Sequence, residues 1–524
     1  MATTHHVSSL TLSSRKPVLS SQPSYGRRSL YVCKPISSKI LHLRHNNFFN
    51  KTSESIVFAT YSDEKVSDND VKELREECGV VAVYGDPDAS RLCCDALRAI
   101  QHRGQEGAGI VTAYDNVLFP LTGVGLVGEV FDESKLGQLP GEIGIGHVRY
   151  STTGASMLQN VQPFVSETRL GHLAVAHNGN LTNYEKLKKM LQEKGCIFNT
   201  CSDTEAVLRL IDISKKTTFV LQIIDACEQL VGSYSMVFLT KDKLVAVRDP
   251  RGFRPLVMGR RSNGSVVFAS ETCALDIIQA TYKREVKPGE VIVVDKYGTQ
   301  TFHLSPQLER SCCSFEPIYF SWHNSEVFGL SVHDFRYNAG IRLATESPVD
   351  CDVVIPVPHS GVIAAEGYAF KAGIPYAMGL HRRPDSGRTF IQPTQESRDI
   401  GVKRKLTPDP SVLEGKRVVV VDDSIVRGTT APQIVRMIRE AGAKEVHMRI
   451  ACPPIIGPCM YGVNIKKSEL LANGKTVEEM RQVTGCDSLA FLSLESLKNC
   501  LGDDSSGFCK GCFTNEYPIP SSED

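Results

Sequence analysis

The run Val80-Val81-Ala82-Val83-Tyr84 is apolar at every position and has strand length, closed by the turn residues Gly85-Asp86-Pro87. From Ala89 to Gln101 the apolar residues take a helical period, with Leu92, Ala96, Leu97 and Ile100 on one face. Short strands are predicted at 109–113, 143–147 and 173–177. Helices are predicted at 181–194, stopped by Gly195, and at 203–214. Strands 234–240 and 244–248 pair around a Lys241-Asp242 turn. Up to about residue 305 strands and helices mix without alternation, an α+β pattern. From Asp350 the rhythm changes. A strand at 352–357 leads to a helix at 362–371 ended by Gly373. A strand at 416–421, a loop at 422–430, a helix at 432–441 stopped by Gly442 and a strand at 445–450 follow. This βαβ order predicts an α/β unit with a parallel sheet. Two domains joined near 300–320 are expected, with a Cys- and Gly-containing tail after about 500 and no internal repeat.

Composition narrows the function classes. The chain has 524 residues, which at roughly 150 per domain allows two to four domains. Lys+Arg and Asp+Glu are both 59, so the basic excess of a general nucleic-acid binder is absent. No apolar run approaches the ~20 residues that cross a bilayer, so no membrane span is expected. The 17 cysteines need explaining, and the chain is long for a secreted disulfide scaffold, which is usually short. A reducing compartment is expected, with most cysteines (Cys93, Cys94, Cys227 and Cys273 among them) packed as small hydrophobes. Residues 1–60 are rich in Ser, Thr, Arg, Lys and His, with Glu54 their only acid and no long apolar stretch. This reads as an organelle transit peptide, against the plainer reading of an unaddressed disordered tail. Residues 61–77 are polar and acidic and end at Cys78.

Polar residues collect where the first half should turn its strands into loops. His102-Arg103-Gly104-Gln105-Glu106-Gly107 lies between a helix and a strand, and His147-Val148-Arg149-Tyr150-Ser151 sets an arginine at a strand end. His177-Asn178-Gly179-Asn180 puts an Asn-Gly where a strand is predicted to turn into a loop, and Ser202-Asp203-Thr204-Glu205 opens a helix. Alone, Cys78 is an ordinary strand cysteine, Arg149 a surface arginine and Asp203 a helix cap. Together with Cys78-Gly79-Val80-Val81 these segments resemble the glutaminase domain of the class II amidotransferases, an N-terminal-nucleophile αββα sandwich. The resemblance implies that 61–77 is a propeptide whose removal makes Cys78 the first residue. It implies Cys78, Asn178 and Gly179 as catalytic residues, the last two as oxyanion donors. Arg149 and Asp203 are then the holders of the glutamine α-carboxylate and α-ammonium. The segment from Arg248 to Leu256 matches the family too and is read as a fold and domain contact.

The most specific local signal is Val418-Val419-Val420-Val421-Asp422-Asp423-Ser424-Ile425-Val426-Arg427-Gly428-Thr429-Thr430. A buried parallel strand delivers two carboxylates to the crevice where α/β sheets bind ligands, and a Gly- and hydroxyl-rich turn enters a helix suited to phosphate. It is neither a Walker A loop nor a Gly-x-Gly-x-x-Gly fingerprint. It resembles the phosphoribosyl pyrophosphate signature of type I phosphoribosyltransferases. That likeness implies Asp422 and Asp423 on the ribose hydroxyls and on Mg²⁺, with Ser424, Arg427, Gly428, Thr429 and Thr430 in the phosphate cradle. Ser360, in Pro358-His359-Ser360-Gly361, is implied near the metal, and Arg388 in a loop that closes over the substrate.

Cys509-Lys510-Gly511-Cys512 is a Cys-x-x-Cys pair in a predicted loop, open to zinc, redox or cluster readings. In this domain order the chain resembles the iron–sulfur subclass of the amidophosphoribosyltransferase family, in its plant plastid form. The likeness implies Cys313, Cys459, Cys509 and Cys512 as ligands of one [4Fe–4S] cluster per subunit, with structural zinc the other candidate and Cys312 competing with Cys313. It further implies one Mg²⁺ per subunit, glutamine and phosphoribosyl pyrophosphate as substrates and purine nucleotides as feedback inhibitors. A homotetramer in the plastid stroma, with neither nucleic-acid nor membrane partners, completes the expectation. The domains so implied are 78–305 (glutaminase), 306–500 (phosphoribosyltransferase) and a 501–524 tail carrying two cluster cysteines. The chain departs from the family at His359, where an acid is usual, at Pro384-Asp385 in place of His-Tyr, and at Ser321-Trp322-His323-Asn324-Ser325. These departures, all in the transferase half, motivate an alternative: a degenerate or regulatory paralogue that binds phosphoribosyl pyrophosphate with weak or uncoupled transfer. A glucosamine-phosphate or asparagine synthetase would share the first domain and lack the run from Asp422 to Thr430.

Overall fold

A computed structural model describes residues 78–150, 157–382, 406–462 and 465–519. Residues 1–77, expected to be a transit peptide and a propeptide, lie outside the described residues, as do Ser151, the Pro384-Asp385 departure and Arg388.

The strand Gly79–Tyr84 shows how the first half is built. Its side chains alternate between two fully buried environments. Val81 and Val83 pack with Leu92, Ala96 and Leu97 of the helix Ala89–Ala99. Val80 and Ala82 face a different core containing Ala174, Ala176, Val237 and Ala246. The strand is therefore central to one sheet and covered on both faces, which is why it reads as a continuous apolar run. That sheet has seven antiparallel strands, with Gly79–Tyr84 between Val266–Ala269 and Ile143–Arg149. A second antiparallel sheet of six strands stacks against it, with Gly171–Leu181 beside Gly232–Leu239. The outer face of the second sheet, through Leu173, Val175, Met236 and Phe238, packs on the helices Tyr184–Glu193, Thr204–Ile213 and Phe219–Cys227. Helix, sheet, sheet and helix make the expected αββα sandwich.

One local expectation fails. The segment His177-Asn178-Gly179-Asn180 is not a turn, because the strand runs on through it to Leu181. Asn178 pairs with Ser235 and Gly179 with Tyr234. Pairing with a neighbouring strand overrides the local turn preference. Only glycine fits there: Gly179 has φ +152°, and a Cβ would stand 2.1 Å from the Ser233 carbonyl oxygen.

The second half is the expected parallel sheet, ordered Val353–Pro356, Arg417–Asp422, Glu445–Ile450 and Ser488–Phe491. The helices Val362–Ala372 and Ala431–Glu440 are crossovers, and Gly373 ends the first in the left-handed conformation at φ +68°. The helix Val332–Glu346 lies on Val362–Ala372 so closely that a Cβ on Gly340 would meet the Ala364 carbonyl oxygen at 2.0 Å.

The tail is not a loop. Phe508–Cys509 forms a two-residue parallel pairing with Cys312–Cys313, Cys313 opposite Cys509, and Cys512 lies in the short helix Gly511–Thr514. Backbone N–H groups of Ile456 and Gly457 donate to the Cys512 carbonyl. Arg248 and Arg254, as expected of their segment, are buried contacts rather than surface groups; Ser311 and Cys313 N–H donate to the Arg251 and Phe253 carbonyls. Among the described residues no helix is long and apolar enough to cross a membrane.

Candidate active sites

The first site forms where one end of each antiparallel sheet meets the other. Gly79 pairs with Val148, so Cys78 lies at the strand end that carries Arg149. His147 reaches across to the second sheet and hydrogen-bonds the His177 carbonyl at 3.1 Å, one residue before Asn178. Burial depresses the His147 pKa to about 3, so the ring is neutral, and its Nδ1 has no hydrogen-bond partner among the described residues. The Cys78 thiol is half-buried and 3.5 Å from the Tyr150 carbonyl oxygen. Asn178 is 1% exposed, and its amide Nδ2 is buried without a partner among the described residues. Leaving such a donor unpaired costs about 1–3 kcal/mol, which a ligand oxygen would recover. Arg149, also buried, has no carboxylate partner among the described residues, whereas Asp203 is held. The Leu181 N–H donates to Asp203 at 2.9 Å, and His177 Nδ1 is 3.6 Å away. Burial opposes ionisation of Asp203; the His177 ring and the Leu181 and Thr204 N–H groups outweigh it and hold the carboxyl below its ordinary value. Asp203 makes no side-chain cap bond to its own helix, so it is more than a helix cap.

Sequence reasoning missed what fixes Cys78 itself. Arg103 Nε donates to the Cys78 carbonyl at 3.0 Å. Its guanidinium is fully buried between two carboxylates, 2.6 Å from Glu271 and 2.9 Å from Glu316. Arg254 adds a 3.0 Å bond to Glu316, and His102 a 2.8 Å contact with Glu271. Arg103 lies in the polar run already singled out, but Glu271 and Glu316 are 168 and 213 residues further along, with no local signal.

The second site lies at the C-terminal ends of the parallel strands, as expected for such sheets. Asp422 ends Arg417–Asp422 and accepts the Asp423 N–H at 2.9 Å. Burial and the charge of Asp423 push the Asp422 carboxyl well above its ordinary value. Burial raises Asp423 too, against the Ser360 and Ser424 hydroxyls and the Arg336 charge. Two crowded acids with hydroxyl partners are a site short of positive charge. The helix Ala431–Glu440 begins there, and Thr430 makes no side-chain cap bond to it. Gly428 has φ +70°, with Leu471 against its α-carbon. Arg427 is turned to Glu469, 2.7 Å from Nη2, while its Nη1 is buried without a partner among the described residues. His359 is largely exposed beside Ser360; partial desolvation, with the charge of Arg382, lowers its pKa.

A cavity of about 250 Å³ is bounded by the loop from Asp422 to Ala431 and also by Cys313, Cys459, Cys509 and Cys512. The sequence-predicted quartet is thus brought together. Burial raises the thiols of Cys313 and Cys512 well above their ordinary value and that of Cys509 to about 11, and each feels others of the four. Among the described residues no group of three or more His, Cys, Asp or Glu could hold a single metal ion. All four line that cavity, and four thiols are the donor set that a [4Fe–4S] cluster takes. Cys312 is fully buried and bonded by Arg310, 3.1 Å from Sγ, so Cys313 is the member on the cavity.

Comparison with known proteins agrees with this two-site layout. Residues 147–276 match the glutamine amidotransferase domain family, and residues 338–455 the phosphoribosyl transferase domain family. The chain is 62% identical over 493 residues to amidophosphoribosyltransferase 1, chloroplastic, of Arabidopsis thaliana, covering 93% of this chain and 87% of that one. It is 47% identical over 461 residues to amidophosphoribosyltransferase of Bacillus subtilis (strain 168), covering 87% and 97%. The solved structure of glutamine phosphoribosylpyrophosphate amidotransferase from B. subtilis, complexed with ADP and GMP, matches with a TM-score of 0.81 at 46% identity, over 85% of this chain and 98% of that chain. An N-terminal-nucleophile glutaminase fold followed by a type I phosphoribosyltransferase fold accounts for the whole described chain, which belongs to the amidophosphoribosyltransferase family.

Proposed function

We propose that the chain transfers the amide nitrogen of glutamine to 5-phosphoribosyl 1-pyrophosphate, giving 5-phosphoribosylamine, glutamate and pyrophosphate, the committed step of purine synthesis. The observation that carries this reading is an orphaned buried Asn178 amide in the glutaminase half together with a crowded Asp422–Asp423 pair in the same chain. The relatives are named for this reaction, and none favours the degenerate paralogue.

In this reading the propeptide 61–77 is removed, and the Cys78 α-amino group, with a pKa near ~8, takes the proton of its own thiol. The thiolate attacks the glutamine side-chain amide. The charge developing on oxygen is met by Asn178 Nδ2 and the Gly179 N–H, donors fixed in advance. Arg149 grips the α-carboxylate with a bidentate fork and Asp203 the α-ammonium. Ammonia leaves, and water releases glutamate from the thioester. Ammonia then passes inside the protein to the ribose C1, as pyrophosphate departs. Asp422 and Asp423 position the ribose hydroxyls. Ser424, Gly428, Thr429 and Thr430 cradle the 5′-phosphate at the helix start, joined by Arg427 through its unpartnered Nη1. Arg388 closes over the substrate. Asp422, Asp423 and Ser360 would hold one Mg²⁺, a cation needing few protein ligands when it shares phosphates; it would neutralise the leaving pyrophosphate. Cys313, Cys459, Cys509 and Cys512 would hold one [4Fe–4S] cluster, a staple without a redox step. The domains are read as 78–305, 306–500 and a 501–524 tail, behind the transit peptide 1–60. Relatives named chloroplastic and one solved with ADP and GMP support a plastid, stromal enzyme inhibited by purine nucleotides; a homotetramer is part of the same reading.

The test is to express the full chain, let it mature, read its N-terminal mass, and assay with Mg²⁺. A chain starting at Cys78, releasing glutamate and pyrophosphate in equal amounts when phosphoribosyl pyrophosphate is supplied, is the expected result. Glutamine hydrolysis without pyrophosphate would refute the coupled reaction.

A further inference from the structure

A buried glutamine braces the first site from behind. The strand Phe164–Thr168 pairs with Gly171–Leu181 only as far as Val175. Beyond Val175 the Gln162 side chain takes over from the strand: its Oε1 accepts the His177 N–H at 2.8 Å. Its Nε2 donates to the Thr204 hydroxyl at 3.2 Å, at the start of the helix Thr204–Ile213. The Thr204 oxygen lies in turn 3.0 Å from His177 Nδ1 and 3.4 Å from Asp203 Oδ1. Gln162, His177 and Thr204 are all buried, and together they close a ring of hydrogen bonds.

The corners of that ring have meaning for the site. His177 immediately precedes Asn178, and Thr204 immediately follows Asp203. In the reading given above, Asn178 and Asp203 act on opposite ends of one substrate, the amide and the α-ammonium of glutamine. The Leu181 N–H already ties Asp203 to the oxyanion strand. Gln162 and Thr204 add a second tie four residues upstream, which fixes angle as well as distance. Gln162 is itself immobilised, because a Cβ on Gly109 of the first sheet would stand 2.2 Å from the Gln162 carbonyl oxygen. His147, which pairs with Gly109, holds the His177 carbonyl at 3.1 Å. The N–H and the C=O of His177 are thus both gripped from outside its own sheet.

We propose that Gln162 and Thr204 are positioning residues of the glutaminase: they form a strut that sets the span between the oxyanion donors and Asp203, and with it the length of amino-acid amide that is turned over. This rests on the reading of the first site given above. Groups that support a reacting constellation must hold it to within about 0.5 Å. An amide displaced by about 1 Å from its donors can lose about 10²-fold in rate while its remote end still binds.

The test uses the matured full chain with Mg²⁺ and saturating phosphoribosyl pyrophosphate. Thr204→Val keeps the branched shape and removes the hydroxyl. Its glutamine kcat is expected to fall about tenfold or more, with the KM moving less than about threefold. The preference for glutamine over asparagine, one methylene shorter, should narrow severalfold as a ratio of kcat/KM. L-Norvaline carries the α-carboxylate and α-ammonium without an amide, so it probes the other end alone. Its inhibition constant should stay within about threefold of that of the unaltered chain. Thr204→Ser should restore both kcat and preference. Phosphoribosylamine formed from free ammonia, at the other site, reports that each variant is folded. Should Thr204→Val fail to fold, Gln162→Met, similar in length and lacking the amide, is expected to give the same pattern. A glutamine kcat within about twofold of the unaltered chain, an unchanged preference, or a norvaline constant that weakens as far as turnover does would each overturn the proposal. An unaltered chain that releases no glutamate would sink the underlying reading, a result distinct from turnover indifferent to Thr204.

Discussion

The two candidate sites are made in opposite ways. The transferase site is contiguous: strand end, two acids, glycine turn and helix start all come from one run between Arg417 and Glu440. The glutaminase site is assembled from five separate segments between Cys78 and Asp203, joined by strand pairing and by the His147–His177 bridge across the sheets. They differ in charge logic too. The glutaminase site has its donors in place, with Asn178 Nδ2 buried and unpaired. The transferase site holds excess negative charge, with Asp422 and Asp423 each pushed toward protonation. In the proposed reading, one is preorganised for an anion that forms during reaction, and the other would bring a cation and a ligand together.

The comparison breaks most sharply at Cys78. Cys78→Ala should abolish glutamine-dependent product by about 10³-fold or more, as expected for a lost nucleophile. Ammonia supplied in solution should still give phosphoribosylamine, because the transferase site is separate; loss of both activities in a folded variant would contradict that separation. Asn178→Ala should lower the glutaminase kcat by about 10²–10³, the effect of removing one oxyanion donor. A change confined to KM would instead assign Asn178 to substrate binding.

The third test concerns how the antiparallel half is held together. His147 titrates at about 3 in the folded chain and near ~6.5 unfolded, so acid favours the unfolded state. Its contribution is fully present above pH ~6.5 and is lost as the pH falls toward 3, at about 1.4 kcal/mol per unit. At pH 5 the loss is about 2 kcal/mol by the same slope. His147→Gln should flatten that part of a denaturant-versus-pH series, and an unchanged slope would show that other groups carry it. The smallest effect is expected in the transferase half. His359→Asp restores an acid beside Ser360 and should raise phosphoribosylamine formation severalfold at limiting Mg²⁺; unchanged kinetics would mean that the histidine costs the site nothing.

This contrast explains what the sequence reveals. The acids and phosphate turn are adjacent in the chain, so their chemistry and placement are both legible. The glutaminase residues are legible only through spaced segments taken together, and Asn178-Gly179 misleads locally because a paired strand overrides the turn signal. The two-residue pairing of Cys313 with Cys509 is invisible to periodicity, since no period fits two residues. Least legible is the clamp on Arg103. Buried ion pairs between distant residues leave no pattern in one sequence, and a glutamate before a short helix at 271 looks like any other.

The knitting of residues 508–519 onto 312–314 and 456–461 has a consequence for biogenesis. A ribosome emits the antiparallel sandwich first, and such units fold as they emerge. The linker strand at Cys312–Cys313 stays unpaired until the whole parallel sheet has been made, when Phe508–Cys509 arrives and Tyr461 meets the Ile519 carbonyl. Residues 508–519 are therefore the closing stitch of the linker. A chain cut before Phe508 would leave Cys312 and Phe513's seat bare, and that exposed apolar seam is what a protease or chaperone would read as an unfinished protein.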